Sequence, residues 1–327
     1  MSGSPACALC AQENPTVVAS VTPAQIQEAW GILGVSISTA ALGDLALLET
    51  IKLWRCNNCG FEYSHLNLAG GALFYEELQR QLPNYYPTDS TEYSRAIQFA
   101  CAHSIDEVLD VGCGAGAFLD LAKKAGLRTH GVELNPKGAA IARQKGHIVY
   151  NDLLRTIIAG GNHPRFELVT TWQVLEHVSD PVGFLWECAQ FIKPGGCLAV
   201  AVPAEDGINS LSPFNPHVWP PHHVTRWRLT HLRQLGTKIG LKFVSGGNDP
   251  LNPYNARYMW ELHNRLAPAF GYKPYIGGNS LSKMLAFASA KTGLHRFLPD
   301  WGHSTYAFFT SAPKNALDKQ RVNDWAA

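Results

Sequence analysis

The residues best suited to chemistry form a glycine-rich run directly behind an apolar segment. Residues 108–111 predict a buried strand, and Gly112, Gly114 and Gly116 alternate before the helix-forming stretch 117–125. Glycine lets a backbone approach a ligand closely, and the free amide groups at a helix start attract polar or anionic groups. The order of strand, glycine turn and helix therefore predicts a binding site for a nucleotide-like cofactor.

Two carboxylates stand at positions that suit such a cofactor. Asp110 lies just before the first glycine, and Glu133 closes the next predicted strand, at about the 20-residue spacing of ribose-binding acids. A carboxylate there can accept hydrogen bonds from both ribose hydroxyls. The spacing Gly112-x-Gly114-x-x-Ala117 also satisfies a loose dinucleotide fingerprint, so a nicotinamide-dependent dehydrogenase is an alternative at this point.

Three segments together resemble motifs of the class I S-adenosylmethionine-dependent methyltransferases. They are Asp-x-Gly-x-Gly-x-Gly at 110–116, VLEHVSDP at 174–181 and FIKPGGCLAV at 191–200. The resemblance covers roughly residues 75–312 and implies methyl transfer from S-adenosylmethionine by in-line displacement. It also implies an α/β fold, with a Rossmann-like, doubly wound, mostly parallel seven-stranded sheet whose last strand is antiparallel.

The same resemblance implies a set of cofactor contacts. Asp152 would lie near the adenine amino group, with Leu153 packed on the ring. The backbone after the fourth strand would line the floor beside the sulfonium, and an aromatic face would close over that cation. The full predicted set is Tyr86, Asp110, Gly112, Cys113, Gly114, Gly116, Glu133, Leu134, Asp152, Leu153, Gln173 and Val174. Ordinary packing or capping of a strand end is the structural alternative for these side chains.

Two adjacent histidines are the candidate catalytic groups. The segment 220–227 resembles the P-x-H-x-x-x-(W/F) segment that borders the acceptor site in relatives. An imidazole there could deprotonate the acceptor near neutral pH, which makes His222 or His223 the predicted general base. A histidine that only bonds a carbonyl and holds the loop is the alternative.

An acid–histidine pair, Glu176-His177, follows the fourth predicted strand of the core. In one branch of the resembled family, the quinone-ring O-methyltransferases, a Glu-x-x-Glu-His pattern holds a divalent metal. This chain has Gln173 at the first position, so one carboxylate ligand is missing. We therefore expect Glu176 and His177 to make structural hydrogen bonds beneath the active site.

Four of the eight cysteines form two pairs with metal-ligand spacing, Cys7-x-x-Cys10 and Cys56-x-x-Cys59. In a reducing compartment such pairs favour metal binding over disulfides. A zinc ion held by four thiolates has no open position, so a structural role is predicted. The arrangement resembles the N-terminal zinc module of bacterial sugar C-methyltransferases.

The predicted elements alternate between strand and helix from residue 105 onward, which indicates a parallel sheet covered on both faces. Predicted strands are 107–111, 128–133, 147–150, 166–172, 196–202, 241–246 and 303–310, and predicted helices are 116–125, 136–145, 180–192 and 229–239.

The predicted domains are a zinc-binding module at 1–70, a helical linker capping the cofactor site at 71–104, the methyltransferase core at 105–250 and 300–312, an aromatic-rich substrate lid at 251–299, and a frayed tail at 313–327.

The composition and charge of the chain argue against two classes of partner, nucleic acids and membranes. The formal charge of the 327 residues is +1 and no basic run occurs, which argues against a nucleic-acid backbone as partner. No apolar stretch reaches the roughly 20 residues of a membrane span and no signal peptide is evident, so we expect a cytoplasmic protein. The predicted acceptor is a small molecule of the sugar, nucleotide-sugar or phenolic class. A zinc-ribbon RNA or protein methyltransferase and a non-catalytic scaffold protein are alternatives, and the acceptor atom and oligomeric state stay open.

Overall fold

A computed structural model describes residues 4–82, 90–272 and 301–312. The strands are β1 Thr16–Val21, β2 Ile51–Arg55, β3 Glu62–Tyr63, β4 Glu107–Val111, β5 Arg128–Val132, β6 Ile148–Tyr150, β7 Phe166–Trp172, β8 Ile192–Pro203, β9 Thr225–Arg226, β10 Lys242–Asn248 and β11 Ser304–Thr310. The helices are α1 Pro23–Ile32, α2 Thr39–Leu42, α3 Ala72–Gln81, α4 Thr91–Ala102, α5 Ala117–Lys124, α6 Pro136–Gln144, α7 Leu154–Ala159, α8 Pro181–Gln190, α9 Leu229–Lys238 and α10 Pro253–Leu266.

The large sheet has seven strands in the order β10-β11-β8-β7-β4-β5-β6. Its strands from β8 to β6 pair in parallel, whereas β11 runs antiparallel to both of its neighbours. The predicted fold class is therefore confirmed. The chain winds away from the centre in both directions from the β4–β7 pair, and ligands of such sheets bind at the carboxyl ends of the strands beside this switch point.

Burial of the central strands follows from their apolar sequences. In β8, the side chains from Cys197 to Val202 are fully buried, since helices or neighbouring segments cover both faces of the sheet. Helix α5 places Phe118, Leu119 and Ala122 against the sheet. This rigid layer holds the loops at the carboxyl ends of β4 to β7 in place.

A second sheet joins the N-terminal segment to the main body. Its order is β1-β2-β3-β9, and β3 pairs antiparallel with β9, with Glu62 opposite Arg226 and Tyr63 opposite Thr225. Helix α1 starts with a capping box between Thr22 and Gln25 and has Pro23 at its first position. The segment that holds the paired cysteines thus shares a sheet with the strand that follows the paired histidines.

The strands and helices predicted after residue 105 lie within three residues of their predicted bounds, except that β8 begins four residues early. The sequence analysis predicts neither α7 nor α10. Helix α10 occupies the start of the predicted lid, and residues 273–300 lie outside the described part of the chain. None of the helices in the described ranges combines the length and the apolar character needed to cross a bilayer.

Candidate functional site

The glycine turn lies at the carboxyl end of β4. Gly112 and Gly116 have φ values of 82° and 83°, in the left-handed region that favours glycine. A Cβ atom at Gly112 would lie 2.5 Å from Cγ2 of Val174, so the turn packs directly against the segment behind β7. The turn therefore presents bare backbone to a cavity at the carboxyl edge of the sheet.

Asp110 lies on β4 at the bottom of this cavity and is 2% exposed. The Thr170 hydroxyl donates a 2.8 Å hydrogen bond to its Oδ1 atom. Burial raises the pKa of Asp110 to about 7, the Thr170 bond opposes that shift, and the nearby Glu133 adds to it. A buried acid with free acceptor capacity is suited to bind a cationic group that would restore its charge.

Glu133 begins the loop after β5 and connects that loop to the glycine turn by a hydrogen bond. Its Oε2 accepts a 2.7 Å hydrogen bond from the Gly114 amide, and its Oε1 accepts a 2.6 Å bond from the Asn135 amide. Burial raises the pKa of Glu133, although these backbone bonds favour its ionised form. Each carboxylate oxygen has a second lone pair, so the side chain can also accept bonds from a ligand.

Two leucines flank the cavity beyond Glu133. Leu134 is 56% exposed and Leu153 is 38% exposed, although large apolar side chains usually lie in the core. Asp152 stands beside them, with its Oδ1 accepting a 2.7 Å bond from the Leu153 amide. The pair of exposed leucines next to an acid forms a partly apolar slot at the edge of the cavity.

Gln173 follows β7 with a φ of 56°, which is uncommon for a residue with a side chain. Its Nε2 donates to Oε1 of Glu92 at 2.9 Å and to Oγ of Ser304 at 3.1 Å. The side chain is thus turned towards α4 and β11, while the backbone of Gln173 and Val174 forms part of the cavity floor.

An imidazole cluster forms the opposite wall. We use this name for His177, His222 and His223, whose candidate ligand nitrogens lie within 4.8 Å of one another. Glu176 lies beneath the cluster, with Oε1 3.7 Å from Nε2 of His177 and 3.8 Å from Nε2 of His223. The motif residues after β7 and the paired histidines after β8 therefore meet at one place.

Burial controls the charge of this wall. It lowers the pKa of His177 to about 4 and lowers the pKa values of His222 and His223 well below their ordinary value, with neighbouring imidazoles adding to the shift for the latter two. Burial also raises the pKa of Glu176 to about 8. At neutral pH the three imidazoles are therefore uncharged, with lone pairs able to accept a proton or bind a cation.

The loop of the paired histidines is held by the N-terminal segment. The Gly70 amide donates to the Pro221 carbonyl at 2.7 Å, and the Ser64 amide donates to the Val224 carbonyl at 2.8 Å. The Val224 amide in turn donates to the Glu176 carbonyl at 3.0 Å. Because β3 and β9 extend this contact, the N-terminal segment sets the position of the imidazole cluster.

The four paired cysteines come together as the sequence predicts. The Sγ atoms of Cys7 and Cys59 are 3.7 Å apart, those of Cys10 and Cys56 are 3.5 Å apart, and all four cysteines are free thiols. A tetrahedral ion with Zn–S bonds of about 2.3 Å separates its sulfurs by about 3.8 Å, so the cluster fits a zinc ion.

Two backbone turns shape this thiol cluster. The Ala11 amide donates to the Cys7 carbonyl at 2.8 Å, and the Gly60 amide donates to the Cys56 carbonyl at 2.9 Å. The cluster is also tied to α9, since His231 Nε2 lies 3.2 Å from the Cys59 carbonyl. The thiols therefore sit in a preformed arrangement next to the main body of the protein.

The described residues enclose a cavity of about 2040 Å³ that joins the two walls. Small-molecule pockets usually measure about 300–1,000 Å³, so this volume can hold a nucleoside cofactor and a second small molecule. It brings together most of the predicted site residues, namely Asp110, Gly112, Cys113, Glu133, Leu134, Asp152, Leu153, Gln173, Val174, His222 and His223.

Some predicted residues stand elsewhere. Gly114 and Gly116 shape the turn without lining the cavity, and Tyr86 lies outside the described residues.

The sequence analysis overlooked Tyr75, whose hydroxyl lies 3.0 Å from Nδ1 of His177. It also overlooked Glu92 behind Gln173. Both lie on helices ahead of the glycine turn, and no spacing rule links them to the motifs that they support.

A family model described as a methyltransferase domain matches residues 76–245, which is about half of the chain. The ubiquinone biosynthesis O-methyltransferase of Alkalilimnicola ehrlichii is 27% identical over 172 residues, covering 46% of this chain and 66% of that protein. The enzyme of the same description from Thiobacillus denitrificans is 36% identical over 95 residues, covering 28% of this chain and 41% of that protein.

The chain thus spans less than two thirds of the length of these curated relatives. Among solved structures, a SAM-dependent methyltransferase from Archaeoglobus fulgidus aligns with a TM-score of 0.48 and 16% identity. That alignment covers 73% of this chain and 100% of the other.

Proposed function

The chain belongs to the methyltransferase-domain family, and we propose that it transfers the methyl group of S-adenosylmethionine to a hydroxyl oxygen of a small molecule. The observation that carries the proposal is the pair of acids, Asp110 and Glu133, around a glycine turn whose backbone faces a large cavity. The curated relatives are described as O-methyltransferases, which supports oxygen as the acceptor atom. A phenolic ring is one of the acceptor classes that the sequence analysis favours. Sugar and nucleotide-sugar acceptors are the other classes that the sequence analysis favours.

The wall formed by β4 to β6 would hold the cofactor. Glu133 would accept hydrogen bonds from the two ribose hydroxyls, and Asp110 would bind near the amino end of the methionine part. Asp152 would accept from the adenine amino group while Leu134 and Leu153 pack against the ring. This assignment gives the two exposed leucines a reason to face the cavity.

The turn and floor would set the position of the reactive centre. Residues 112–116 would lie along the methionine part, since a side chain at Gly112 would collide with Val174. The backbone of Gln173 and Val174 would lie beside the sulfonium. When bound, S-adenosylmethionine supplies a methyl group activated by the positive charge on its sulfur.

The chain's own contribution to the reaction is alignment and proton removal. The imidazole wall would hold the acceptor hydroxyl opposite the cofactor wall, so that its oxygen could take up the methyl group while S-adenosylhomocysteine leaves with the electrons of the broken carbon–sulfur bond. The acceptor proton leaves towards the imidazole cluster, where His222 or His223 takes it on a neutral ring nitrogen. The depressed pKa values of both histidines keep that nitrogen unprotonated before the reaction.

We further propose that the thiol cluster holds a structural zinc ion. Four sulfur ligands leave the ion no open position for a reactant. The ion would fix the turn after Cys56 and, through β3 and β9, the loop that carries His222.

Calorimetry with S-adenosylhomocysteine tests the cofactor assignment, with NAD as the comparison ligand. We expect binding of the former only, and we expect Glu133→Ala to weaken it at least about 30-fold, since loss of hydrogen bonds to a charged acceptor costs about 2 kcal/mol or more. Glu133→Gln keeps the shape of the side chain, so its affinity for S-adenosylhomocysteine should lie between those of the wild type and Glu133→Ala. Tight binding of NAD, or unchanged affinity in Glu133→Ala, would contradict the proposal.

A further inference from the structure

We propose that Glu92 is a positioning residue for the floor of the cavity. It holds Gln173 in the left-handed conformation that gives the backbone of residues 173 and 174 its place in that floor. The proposal rests on the proposed methyl-transfer function, because it assigns the floor to the sulfonium end of S-adenosylmethionine. Glu92 acts through Gln173 and is therefore not one of the catalytic groups.

The unusual backbone of Gln173 is the first observation. Among the described residues, four other than glycine have a positive φ, namely Ala11, Asn14, Ser104 and Gln173. Of these four, only Gln173 lines the cavity, with a φ of 56°. The left-handed region is unfavourable for a residue with a Cβ atom, and such a residue persists where its surroundings fix it. An outlier that is fixed at the cavity therefore points to a functional constraint.

Three side chains fix this conformation by hydrogen bonds, and we call Glu92, Gln173 and Ser304 the floor triad. Gln173 Nε2 donates to Glu92 Oε1 at 2.9 Å and to Ser304 Oγ at 3.1 Å. The Ser304 hydroxyl donates to the same Glu92 oxygen at 3.4 Å. A carboxylate only accepts, so Glu92 also determines which end of the Gln173 amide faces it. The Gln173 backbone amide donates to the Ala201 carbonyl at 2.8 Å, so backbone and side chain are both anchored.

The burial of Glu92 is the second observation. Glu92 lies in the first turn of α4, where the helix dipole favours an acid even when that acid is exposed to solvent. Here the side chain is buried, and so is that of Ser304. A buried carboxylate needs hydrogen-bond donors, and Gln173 and Ser304 supply them. The position of Glu92 is therefore explained by the floor and not by the helix alone.

The floor in turn contacts the glycine turn. Val174 follows Gln173 directly, and a Cβ atom at Gly112 would lie 2.5 Å from the Val174 Cγ2 atom. A change of backbone conformation at position 173 would therefore disturb the contact behind the turn that we assign to the methionine part. The triad residues come from α4, from the loop after β7 and from β11, so chain segments before and after the central strands hold this floor.

Calorimetry with two ligands tests whether Glu92 acts on the floor. S-adenosylhomocysteine would lie along the floor, whereas adenosine would reach only the wall of Glu133 and Asp152. We expect Glu92→Ala to weaken binding of the former at least about 10-fold, because a hydrogen bond to a charged group is lost, and to change adenosine binding less than about 3-fold. Equal loss for both ligands, or no loss for either, would overturn the proposal.

Two further variants distinguish positioning from an effect of charge. Glu92→Gln keeps an acceptor oxygen for both donors, so its affinity for S-adenosylhomocysteine should stay within about 3-fold of the wild type. Gln173→Gly can adopt a positive φ without a side chain, so adding Glu92→Ala to it should weaken binding less than about 3-fold. A loss in Glu92→Gln as large as that in Glu92→Ala, or a full further loss in the double variant, would contradict the role of Gln173 as the link.

Two more variants control for folding. Gln98→Ala changes an exposed residue of the same helix and should retain wild-type affinity for both ligands. Ser304→Ala removes the other partner of the Gln173 amide. It should show the same ligand preference as Glu92→Ala to a smaller extent, and it replaces Glu92→Ala if that variant does not fold.

The wild type separates this proposal from the proposed function. If the wild type binds S-adenosylhomocysteine and Glu92→Ala binds it equally well, only the positioning role is overturned. If the wild type binds neither ligand, the proposed function fails. Urea unfolding then decides whether Glu92 holds Gln173, because the effects of Glu92→Ala and Gln173→Ala on stability should be non-additive if the two side chains hold each other. Additive effects would overturn the positioning role.

Discussion

The two walls of the cavity are built in opposite ways. The wall that we assign to the cofactor comes from one stretch of chain, 107–153. Its strands β4, β5 and β6 pair in parallel, so the loops that follow them lie at the same edge of the sheet. The opposite wall combines residues near 64–75, 176–177 and 217–223. Local motifs therefore reveal the first wall, whereas only tertiary contacts assemble the second.

The walls also differ in their chemistry. The cofactor wall contains buried carboxylates, of which Asp110 has a pKa raised to about 7 by its burial. The acceptor wall contains buried neutral imidazoles, and burial lowers the pKa of His217 beside the cluster to about 4. The same desolvation acts on both walls, and its effect is opposite because the charged form is an anion in one case and a cation in the other.

Loss of the proposed zinc ion should affect the two walls unequally, and this is the largest effect that we expect. Cys56→Ser should remove the ion and lower the free energy of unfolding of the N-terminal segment by at least about 3 kcal/mol, since structural zinc binding is worth about 10–16 kcal/mol. Affinity for S-adenosylhomocysteine should stay within about 3-fold, because in the described part of the chain the hydrogen bonds of the thiols reach only the N-terminal segment. Methyl transfer should fall, because β3 supports the histidine loop. Chemical denaturation, calorimetry and a transfer assay measure the three quantities.

Cys101→Ser, at an exposed cysteine outside the cluster, is the matched control and should change none of them. Equal loss of cofactor binding and methyl transfer in Cys56→Ser would show that the two walls are not independent.

The glycine turn provides a smaller and more local test of the cofactor wall. Gly112→Ala combines a φ of 82° with a clash of 2.5 Å against Val174, so we expect a loss of about 1–3 kcal/mol in stability and at least about 10-fold weaker binding of S-adenosylhomocysteine. Gly34→Ala has the same φ of 82° but open space around the new methyl group. It should lose only about 1 kcal/mol and keep its cofactor affinity. Similar affinity in both variants would remove the turn from the cofactor site.

The smallest expected effect is a pair of opposite pH dependences in the cofactor-free protein. The pKa of Asp110 rises from 3.8 to about 7 on folding, so wild-type stability falls as the pH rises through that window, and Asp110→Asn should gain relative stability there. The pKa of His217 falls from 6.5 to about 4, so wild-type stability is lost as the pH drops through that window, and His217→Gln should gain relative stability at low pH.

Urea unfolding between pH 4 and 7 measures both dependences, and neither slope should exceed about 1.4 kcal/mol per pH unit. Slopes of the same sign in the two variants would contradict the assignment of opposite charge chemistry to the two walls.

Prediction from the sequence succeeded where short-range rules apply. The strand before Gly112 and the two cysteine pairs each follow from the pattern within one segment, and the structure confirms the strand and the convergence of the thiols. Helix α10 was missed because its aromatic and asparagine residues obscure the apolar period.

Glu176 and His177 show that motif spacing along the chain does not reveal contacts between residues far apart in sequence. The sequence analysis compared them only with position 173, because a motif is defined along the chain. In the folded protein their neighbours are His222 and His223, which the β3–β9 pairing and the Val224–Glu176 hydrogen bond bring to the same place. That juxtaposition depends on the pairing of strands far apart in sequence.

The sequence by itself determined the order of strands and helices, the glycine turn with its two acids, and the thiol ligands, because each depends on periodicity or spacing within a short segment. Only the tertiary structure decided that the N-terminal segment extends a sheet to the histidine loop and that three imidazoles meet above a buried carboxylate. The physical reason is that burial and convergence belong to the packed chain. The shifted pKa values arise when distant segments exclude water together, and so does the Glu176 oxygen that has no hydrogen-bond partner among the described residues.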